Sequence, residues 1–295
     1  MKLGIFAKTF NRPTLEETLD AVAAYDLHFI QFNLVCAGVP TLPDRVEPAL
    51  CARIRNAAHS RDLNIAAISG TFNIIHPDLE QRRVGFERLR VLAQAAPELG
   101  TDVITLCTGT RDPENMWAAH PENHTKGAWN DLLHSVERAL SIAEKARVTM
   151  AVEPEVANIM SSAEKARKLL DHFNSPRLKI VMDPANLFPA GQRPGMRQVV
   201  AEAFQSLGDE IILAHAKDLD VTGDAGHEAG GTDLLDYDFY LGELRKIDYD
   251  GPLIMHGLAE NQVENCVQFL KKKLSKACAA SGVGRGDSLN AFFRK

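Results

Sequence analysis

The chain has 295 residues, and its 33 lysines and arginines against 39 aspartates and glutamates give a net charge of −6 at neutral pH. Its 45% hydrophobic residues exclude a disordered or fibrous protein, and the acidic balance argues against sequence-independent nucleic-acid binding, which needs a basic face. No apolar run approaches the roughly 18 residues of a membrane span, and the five cysteines form no Cys-x-x-Cys pair. We therefore expect a cytoplasmic protein with reduced thiols and no membrane or nucleic-acid partner.

Short apolar runs rich in β-forming residues alternate with longer segments of helical periodicity along almost the whole chain. Eight strands are predicted, at Lys2 to Ala7, His28 to Asn33, Asn64 to Gly70, Asp102 to Cys107, Val148 to Glu153, Leu178 to Asp183, Ile211 to His215 and Pro252 to His256. Eight helices are predicted near residues 14–25, 45–61, 80–98, 126–146, 161–173, 195–207, 237–246 and 260–280. Thr14 with Glu17, and Ser161 with Glu164, predict capping boxes at the start of two of these helices.

The alternation of strands and helices indicates the fold class. Strands that alternate with helices pair in parallel through right-handed crossovers, and eight such units close a parallel sheet on itself. The sequence therefore predicts an α/β fold, a single (β/α)8 TIM barrel, over residues 1–280, followed by a C-terminal tail over residues 281–295. An open doubly wound sheet is the alternative, but no Gly-x-Gly-x-x-Gly follows the first strand, where that fold carries its dinucleotide fingerprint.

Four successive predicted strands, the fifth to the eighth, end in a side chain that can bind a metal ion. These side chains are Glu153, Asp183, His215 and His256. Catalytic groups of a TIM barrel come from the C-terminal strand ends, which converge on one mouth. Carboxylate oxygens and imidazole nitrogens suit Mn²⁺, Zn²⁺, Co²⁺ or Mg²⁺. The sequence therefore predicts a divalent metal site at this mouth, with open positions for a substrate.

Up to about residue 276 the chain resembles the sugar-phosphate isomerase/epimerase superfamily, whose barrel is of the xylose isomerase type. The resemblance rests on Glu153, the Asp-Pro-x-Asn turn at 183–186, the His-x-Lys-Asp run at 215–218 and the Tyr-Asp-Gly-Pro-Leu segment at 249–253. It implies that a divalent ion is held by Glu153, Asp183, His215 and position 256. In the family the last ligand is a glutamate, and two glutamates act as an acid/base pair on the substrate carbon. Position 256 is histidine here, so the second glutamate is missing.

Seven polar or aromatic residues near the predicted mouth are candidates for substrate binding. They are Asn73, His76, Trp117, Glu155, Asn158, Asn186 and Lys217. Asn73 and His76 could equally cap their own loop, and Trp117 could be a packing anchor rather than part of a substrate lid. The glycine-rich loop at 226–231 is expected to be a lid over a neutral sugar, because the acidic residues in and beside it would repel a phosphate.

These features favour a divalent-metal-dependent isomerase or epimerase of a keto-sugar, a sugar phosphate or a related polyhydroxy carbonyl compound. The reaction is expected to pass through an enediolate, with Glu153 as the base and His256 as a fourth ligand or as the group that returns the proton. No organic cofactor is required, and homo-oligomerisation is left open. The alternatives are a metal-dependent dehydratase or hydrolase of the same fold, and a non-catalytic carbohydrate-binding barrel.

Overall fold

The computed structural model describes residues 1–188, 195–219, 228–231 and 234–280, with side chains as far as residue 275. Its strands are β1 (Lys2–Phe6), β2 (Phe29–Phe32), β3 (Asn64–Ser69), β4 (Val103–Cys107), β5 (Thr149–Glu153), β6 (Leu178–Met182), β7 (Ile211–Asp218), β8 (Glu228–Ala229) and β9 (Pro252–Met255). Apart from the two-residue β8, each strand pairs in parallel with the next, and β9 pairs with both β7 and β1. The predicted (β/α)8 TIM barrel is confirmed, and the predicted tail at 281–295 lies outside the described residues.

The helices that surround the barrel are α1 (Leu15–Ala23), α2 (Pro48–His59), α3 (Leu79–Leu99), α4 (Lys126–Ala146), α5 (Ala163–Phe173), α6 (Met196–Leu207), α7 (Tyr237–Lys246) and α8 (Val263–Ala280). The capping box of α1 is confirmed, since Thr14 Oγ1 accepts from the Glu17 amide and the Glu17 carboxylate accepts from the Thr14 amide. The capping box predicted from Ser161 and Glu164 is wrong. Ser162 is the N-cap of α5 and accepts from the Lys165 amide, while the Ser161 hydroxyl accepts from Lys165 Nζ at 2.9 Å.

Strand β7 is three residues longer than predicted, and this brings Lys217 into the sheet. The added length comes from β8, which pairs antiparallel with the end of β7 so that Lys217 faces Ala229 and Asp218 faces Glu228. Within the described part of the chain, no helix combines the length and apolar character needed to cross a membrane.

The barrel interior is built in layers, and one apolar layer supports the mouth. Inward-facing side chains of successive strands form it: Phe29, Ala67, Val103, Ala151, Val181, Leu213 and Ile254. On β1 this layer has Gly4, because a Cβ there would lie 2.6 Å from a methyl carbon of Ile254. Since side chains alternate along a strand, residues two positions further on also face inward and lie nearer the C-terminal strand ends. Together they form the floor of the mouth: Phe6, Gln31, Ser69, Thr105, Glu153, Asp183, His215 and His256.

Candidate metal centre

Glu153, Asp183 and His215 are brought together on the floor of the mouth. Each offers one ligand atom, and these atoms all lie within 4.8 Å of one another. His215 Nδ1 is 3.5 Å from Glu153 Oε1 and 3.6 Å from Asp183 Oδ2. The Asp183 side chain is fully buried and that of His215 nearly so, whereas the Glu153 side chain is 18% exposed. One imidazole and two carboxylates therefore converge on a point that solvent reaches past Glu153.

Two atoms of this cluster have no hydrogen-bond partner. Among the described residues, Asp183 Oδ2 and His215 Nδ1 are the buried side-chain nitrogen and oxygen atoms without one. Buried polar atoms are nearly always paired, so both orphans on facing ligands indicate a missing group between them. Oxygen and nitrogen donors of this kind suit a divalent cation such as Mn²⁺, Zn²⁺ or Co²⁺. The residues present thus fit the metal ion that the sequence predicts.

The charges of the cluster shift the pKa values of its members. Burial tends to lower the pKa of His215, but the Glu153 and Asp183 carboxylates outweigh it and raise that pKa to about 9. Burial tends to raise the pKa of Asp183, but the facing His215 imidazole and the nearby Lys217 ammonium group outweigh it and lower that pKa to about 2. Without a cation, His215 is therefore the doubly protonated imidazolium at neutral pH, and a cation that binds Nδ1 must displace the proton on that nitrogen.

Gln31 is a member of the mouth floor that the sequence analysis missed. Its Oε1 lies 2.8 Å from His215 Nε2, and its Nε2 lies 3.3 Å from Ser69 Oγ and 3.2 Å from Thr105 Oγ1. The signal in the sequence is a glutamine within the otherwise apolar strand Phe-Ile-Gln-Phe. A polar residue at an inward position of a buried strand needs partners inside the barrel, and here they include a ligand.

Asn186 and Lys217 form a chain of contacts that ends on Glu153. Asn186 Nδ2 donates to Glu153 Oε1 at 2.6 Å, and Lys217 Nζ donates to Asn186 Oδ1 at 2.6 Å. Both side chains are buried in the mouth. The amide fixes the direction of the Glu153 carboxylate, and the ammonium group places a positive charge beside it. These two predicted substrate-binding residues therefore contact the cluster, and Lys217 also lies within reach of the Asp183 charge.

Glu155 is mostly buried above Glu153. Burial raises its pKa, and the Glu153 carboxylate raises it further, against the hydrogen bond that Glu155 Oε1 accepts from the Ala157 amide. Both effects disfavour the charged form of Glu155 relative to an exposed carboxyl group.

His256 borders the cluster without joining its group of facing ligand atoms. Its ring packs edge-on against the rings of Phe6, at 5.4 Å between centroids, and His215, at 5.0 Å. Burial and the His215 charge lower its pKa well below the usual range. His256 is thus a neutral imidazole at neutral pH, with its ring beside that of His215.

Three of the predicted substrate-binding residues use their side-chain polar atoms to hydrogen-bond the backbone of the loops. Asn73 donates to the Thr110 carbonyl at 2.8 Å and accepts from the Thr110 amide, and both ring nitrogens of His76 contact backbone atoms of Pro113 and Asp78. Asn158 accepts from the Gly109 amide and donates to the Met116 carbonyl. These contacts brace the loops after β3, β4 and β5, the capping role that was the alternative for Asn73 and His76.

Two further side chains lie on the loops of the mouth. Trp117, in the loop between β4 and α4, is 54% exposed, so its ring is open to a bound molecule. Lys8, two residues after Phe6, places Nζ 4.5 Å from the centre of the Phe6 ring and has no carboxylate partner within the described residues. The sequence carries no signal for Lys8, because a lysine just after a strand resembles any surface lysine.

The loop after β7 is organised by a buried carboxylate. Asp218 accepts from the amides of Leu219, Gly231 and Leu235. Two tyrosines of α7 hold the strand from behind, with Tyr237 Oη donating to the Lys217 carbonyl and Tyr240 Oη to the His215 carbonyl. Of the glycine-rich segment expected to form a lid, residues 226 and 227 lie outside the described residues, as does the rest of 220–227.

The sequence matches the family described as xylose isomerase-like TIM barrel over residues 19–273, most of its length. The chain belongs to this family. An L-ribulose-5-phosphate 3-epimerase, UlaE, of Shigella flexneri is 22% identical over 274 residues, which cover 91% of this chain and 86% of that protein. The UlaE protein of Escherichia coli K12 is 24% identical over 202 residues, 66% of each chain.

Solved structures share the fold. A D-tagatose 3-epimerase-like protein superposes with a TM-score of 0.76 at 17% identity, covering 96% of this chain and all of that one. An L-ribulose 3-epimerase superposes with a TM-score of 0.68 at 15% identity, covering all of this chain and 99% of that one. The relatives by sequence are thus sugar epimerases, and the related structures carry the same barrel.

Proposed function

We propose that this protein is a divalent-metal-dependent epimerase or isomerase of a ketose or ketose phosphate, and that it acts through an enediolate. The observation that carries the proposal is the buried cluster in which Asp183 Oδ2 and His215 Nδ1 face each other without partners, with Glu153 open to solvent beside them. A set of two carboxylates and one imidazole favours Mn²⁺, Co²⁺ or Zn²⁺ over Mg²⁺.

A divalent cation in this cluster would stabilise the negative charge that develops on substrate oxygens when a C–H bond beside a carbonyl group breaks. Glu153 is the proposed base, because its carboxylate is the exposed member of the cluster and Asn186 fixes its direction. Lys217 adds a positive charge that can face a substrate oxygen. Trp117 and Glu155 would contact the rest of the sugar, and the loops braced by Asn73, His76 and Asn158 would hold these groups in place.

His256 is the proposed second proton carrier, in place of the glutamate that the family has there. Epimerisation removes a proton from one face of a carbon and returns one to the other face, so two groups are needed. In one direction ionised Glu153 takes the proton and protonated His256 returns one to the opposite face; in the reverse direction neutral His256 takes the proton and protonated Glu153 returns one. The neutral state of His256 makes it able to accept a proton at neutral pH.

The decisive experiment combines metal reloading with solvent exchange. Chelated protein is reloaded with Mn²⁺, Co²⁺, Zn²⁺ or Mg²⁺ and incubated in ²H₂O with a panel of ketoses and ketose phosphates. We expect deuterium at the carbon next to the carbonyl and the appearance of the epimer or isomer. Loss of water with a deoxy product would favour the dehydratase instead, and cation binding without exchange on any sugar would favour a binding protein.

The metal itself is tested with ligand variants. Asp183→Ala and His215→Ala should each abolish stoichiometric Mn²⁺ binding, since each removes one of the two unpaired ligand atoms. Asp171→Ala is the matched control, because Asp171 pairs with Arg167 on the outer surface of α5 and should leave binding unchanged. Equal metal content in all four proteins would refute the site.

A further inference from the structure

We propose that Gln31 is a positioning residue of the cation site: it fixes which nitrogen of His215 faces Glu153 and Asp183. The inference rests on the proposed function in that it takes this cluster to bind a cation. It concerns a residue of β2, on the opposite side of the barrel from the strands that carry the ligands.

The first step is the contact itself. Gln31 Oε1 lies 2.8 Å from His215 Nε2, and both side chains are buried. An amide oxygen can only accept a hydrogen bond, so it requires a proton on Nε2. When His215 is neutral, Nδ1 is then the nitrogen with a free lone pair, and it is the nitrogen that faces the two carboxylates. The contact therefore selects the tautomer that can bind a cation.

The second step is the orientation of the amide. Gln31 Nε2 lies within hydrogen-bond distance of Ser69 Oγ and Thr105 Oγ1, and each hydroxyl can accept a hydrogen bond from one of its two N–H groups. If the amide were reversed, its NH₂ group would face His215 Nε2 and favour the tautomer with the proton on Nδ1. That proton would occupy the position of the cation. Hydroxyls from β3 and β4 thus hold the amide in the productive orientation.

The other two proposed ligands are oriented by hydrogen bonds as well. Each proposed ligand side chain is held by a hydrogen bond: Glu153 at Oε1 by Asn186, Asp183 at Oδ1 by the Ala185 amide and His215 at Nε2 by Gln31. The first two partners lie on the turn that follows β6, close in sequence to a ligand. Gln31 is 184 residues from His215, so its contact depends on a closed barrel.

The test measures cation binding by the chelated, full-length protein. We compare Gln31→Met, which has similar length but no amide oxygen, with Gln31→Asn, which withdraws the acceptor by one methylene, and Gln31→Glu, which keeps an acceptor. Ser135→Ala is the control, since its buried hydroxyl donates to the Ile74 carbonyl outside the mouth. Mn²⁺ affinity is determined by titration, and the visible absorption of the Co²⁺-loaded proteins reports on coordination by nitrogen.

We expect Mn²⁺ affinity to fall about 10- to 100-fold in Gln31→Met, the range for partners that orient a ligating histidine, and less in Gln31→Asn. Gln31→Glu keeps an acceptor and adds a negative charge, so it should bind Mn²⁺ more tightly than Gln31→Met does, and Ser135→Ala should bind as the wild type does. If Gln31→Met does not fold, a weaker affinity of the uncharged Gln31→Asn than of the wild type decides for the proposal. If the folded variants bind Mn²⁺ as tightly as the wild type does, the role of Gln31 is overturned and the proposed function is not. A wild type that binds no cation overturns both the inference and the proposed function.

Discussion

Glu153 is the proposed ligand best placed to reach both a cation and a substrate, because its side chain is the most exposed of the cluster. We predict that Glu153→Gln lowers turnover about 10²- to 10⁴-fold, the usual contribution of a positioned general base. Glutamine keeps the shape and an oxygen for the Asn186 amide, but it cannot accept the proton. The rate of deuterium uptake at the substrate carbon measures the effect.

Glu155→Gln is the matched control for that substitution. Glu155 is proposed to contact the sugar rather than to move a proton, and glutamine keeps an oxygen that can accept from the Ala157 amide. We therefore expect a much smaller change in turnover at saturating substrate, with any effect falling on KM. A Glu153→Gln enzyme that keeps more than about a tenth of wild-type turnover would remove Glu153 from the role of base.

His256 lies beside the cluster rather than within it, and this position separates its two candidate roles. We predict that His256→Ala lowers turnover at least about 10²-fold as expected for a proton carrier, while Mn²⁺ affinity falls far less than in Asp183→Ala. Titration of both variants with Mn²⁺ and the deuterium-exchange rate measure these effects. Loss of the cation equal to that in Asp183→Ala would instead make His256 a fourth ligand.

The sequence predicts individual residues only where their position along a strand settles their surroundings. Glu153, Asp183 and His215 each end an apolar run, so the barrel and the alternation of side chains place them together. Asn73 has the same hydrogen-bonding groups as Asn186, yet its partners are the backbone of a neighbouring loop. That difference depends on loop conformation, which no periodic pattern records. Gln31 was missed for a related reason, since its partners lie on other strands.

At the scale of elements, the loops after β3, β4 and β5 meet at Gly109. Its φ is +75°, and a Cβ there would overlap Asn73 Oδ1 and lie 3.0 Å from Asn73 Cγ. We predict that Gly109→Ala destabilises the protein by roughly 1–2 kcal/mol for the left-handed backbone and by about 1–3 kcal/mol more for displaced buried hydrogen bonds. Urea unfolding measures the loss.

Gly38→Ala separates these two costs. Gly38 also has a positive φ, +78°, but nothing lies within 4 Å of its Cβ position, so only the backbone cost applies. If the two variants are destabilised equally, the meeting of the three loops at Gly109 contributes nothing beyond backbone conformation.

The elements themselves were predicted well where capping and periodicity agree, as at α1. Strand β7 was predicted too short because its last residues pair with β8, a strand of two residues that carries no signal of its own. Ser161 and Ser162 are both acceptable caps in sequence. In the structure the Lys165 amide donates to Ser162 Oγ, and Lys165 Nζ donates to Ser161 Oγ.

For the whole molecule, the shifted pKa values predict how stability without metal depends on pH. Since the folded-state pKa of His215 is raised to about 9, its stabilising contribution is complete below about pH 6.5 and is lost as pH rises through 9. Asp183, with its pKa lowered to about 2, contributes above about pH 4 and loses its contribution as pH falls toward 2. His256, whose pKa is lowered well below its usual range, acts in the opposite sense to His215, and its contribution is lost as pH falls below about 6.5. We therefore expect the chelated protein to be most stable near pH 6.5 and to lose stability as pH rises through 9.

A cation replaces the proton on His215, so its stabilising effect should grow as that proton becomes easier to remove. The increase in thermal midpoint on adding Mn²⁺ should be larger at pH 8.5 than at pH 6.5. Asp183→Ala, measured in parallel, should show no such increase at either pH. A chelated wild type whose midpoint rises steadily from pH 6.5 to 9 would contradict the assigned protonation of His215.

The floor of the mouth divides between the two halves of the barrel. The acidic and imidazole groups come from β5 to β9, and the amide and hydroxyl groups come from β2 to β4. A chain cut after Arg147 would therefore yield one fragment with every proposed ligand and another with the group that orients the imidazole. Neither fragment would hold the complete site. Tight cation binding at the proposed site would then show that the two fragments have reassembled into a closed barrel.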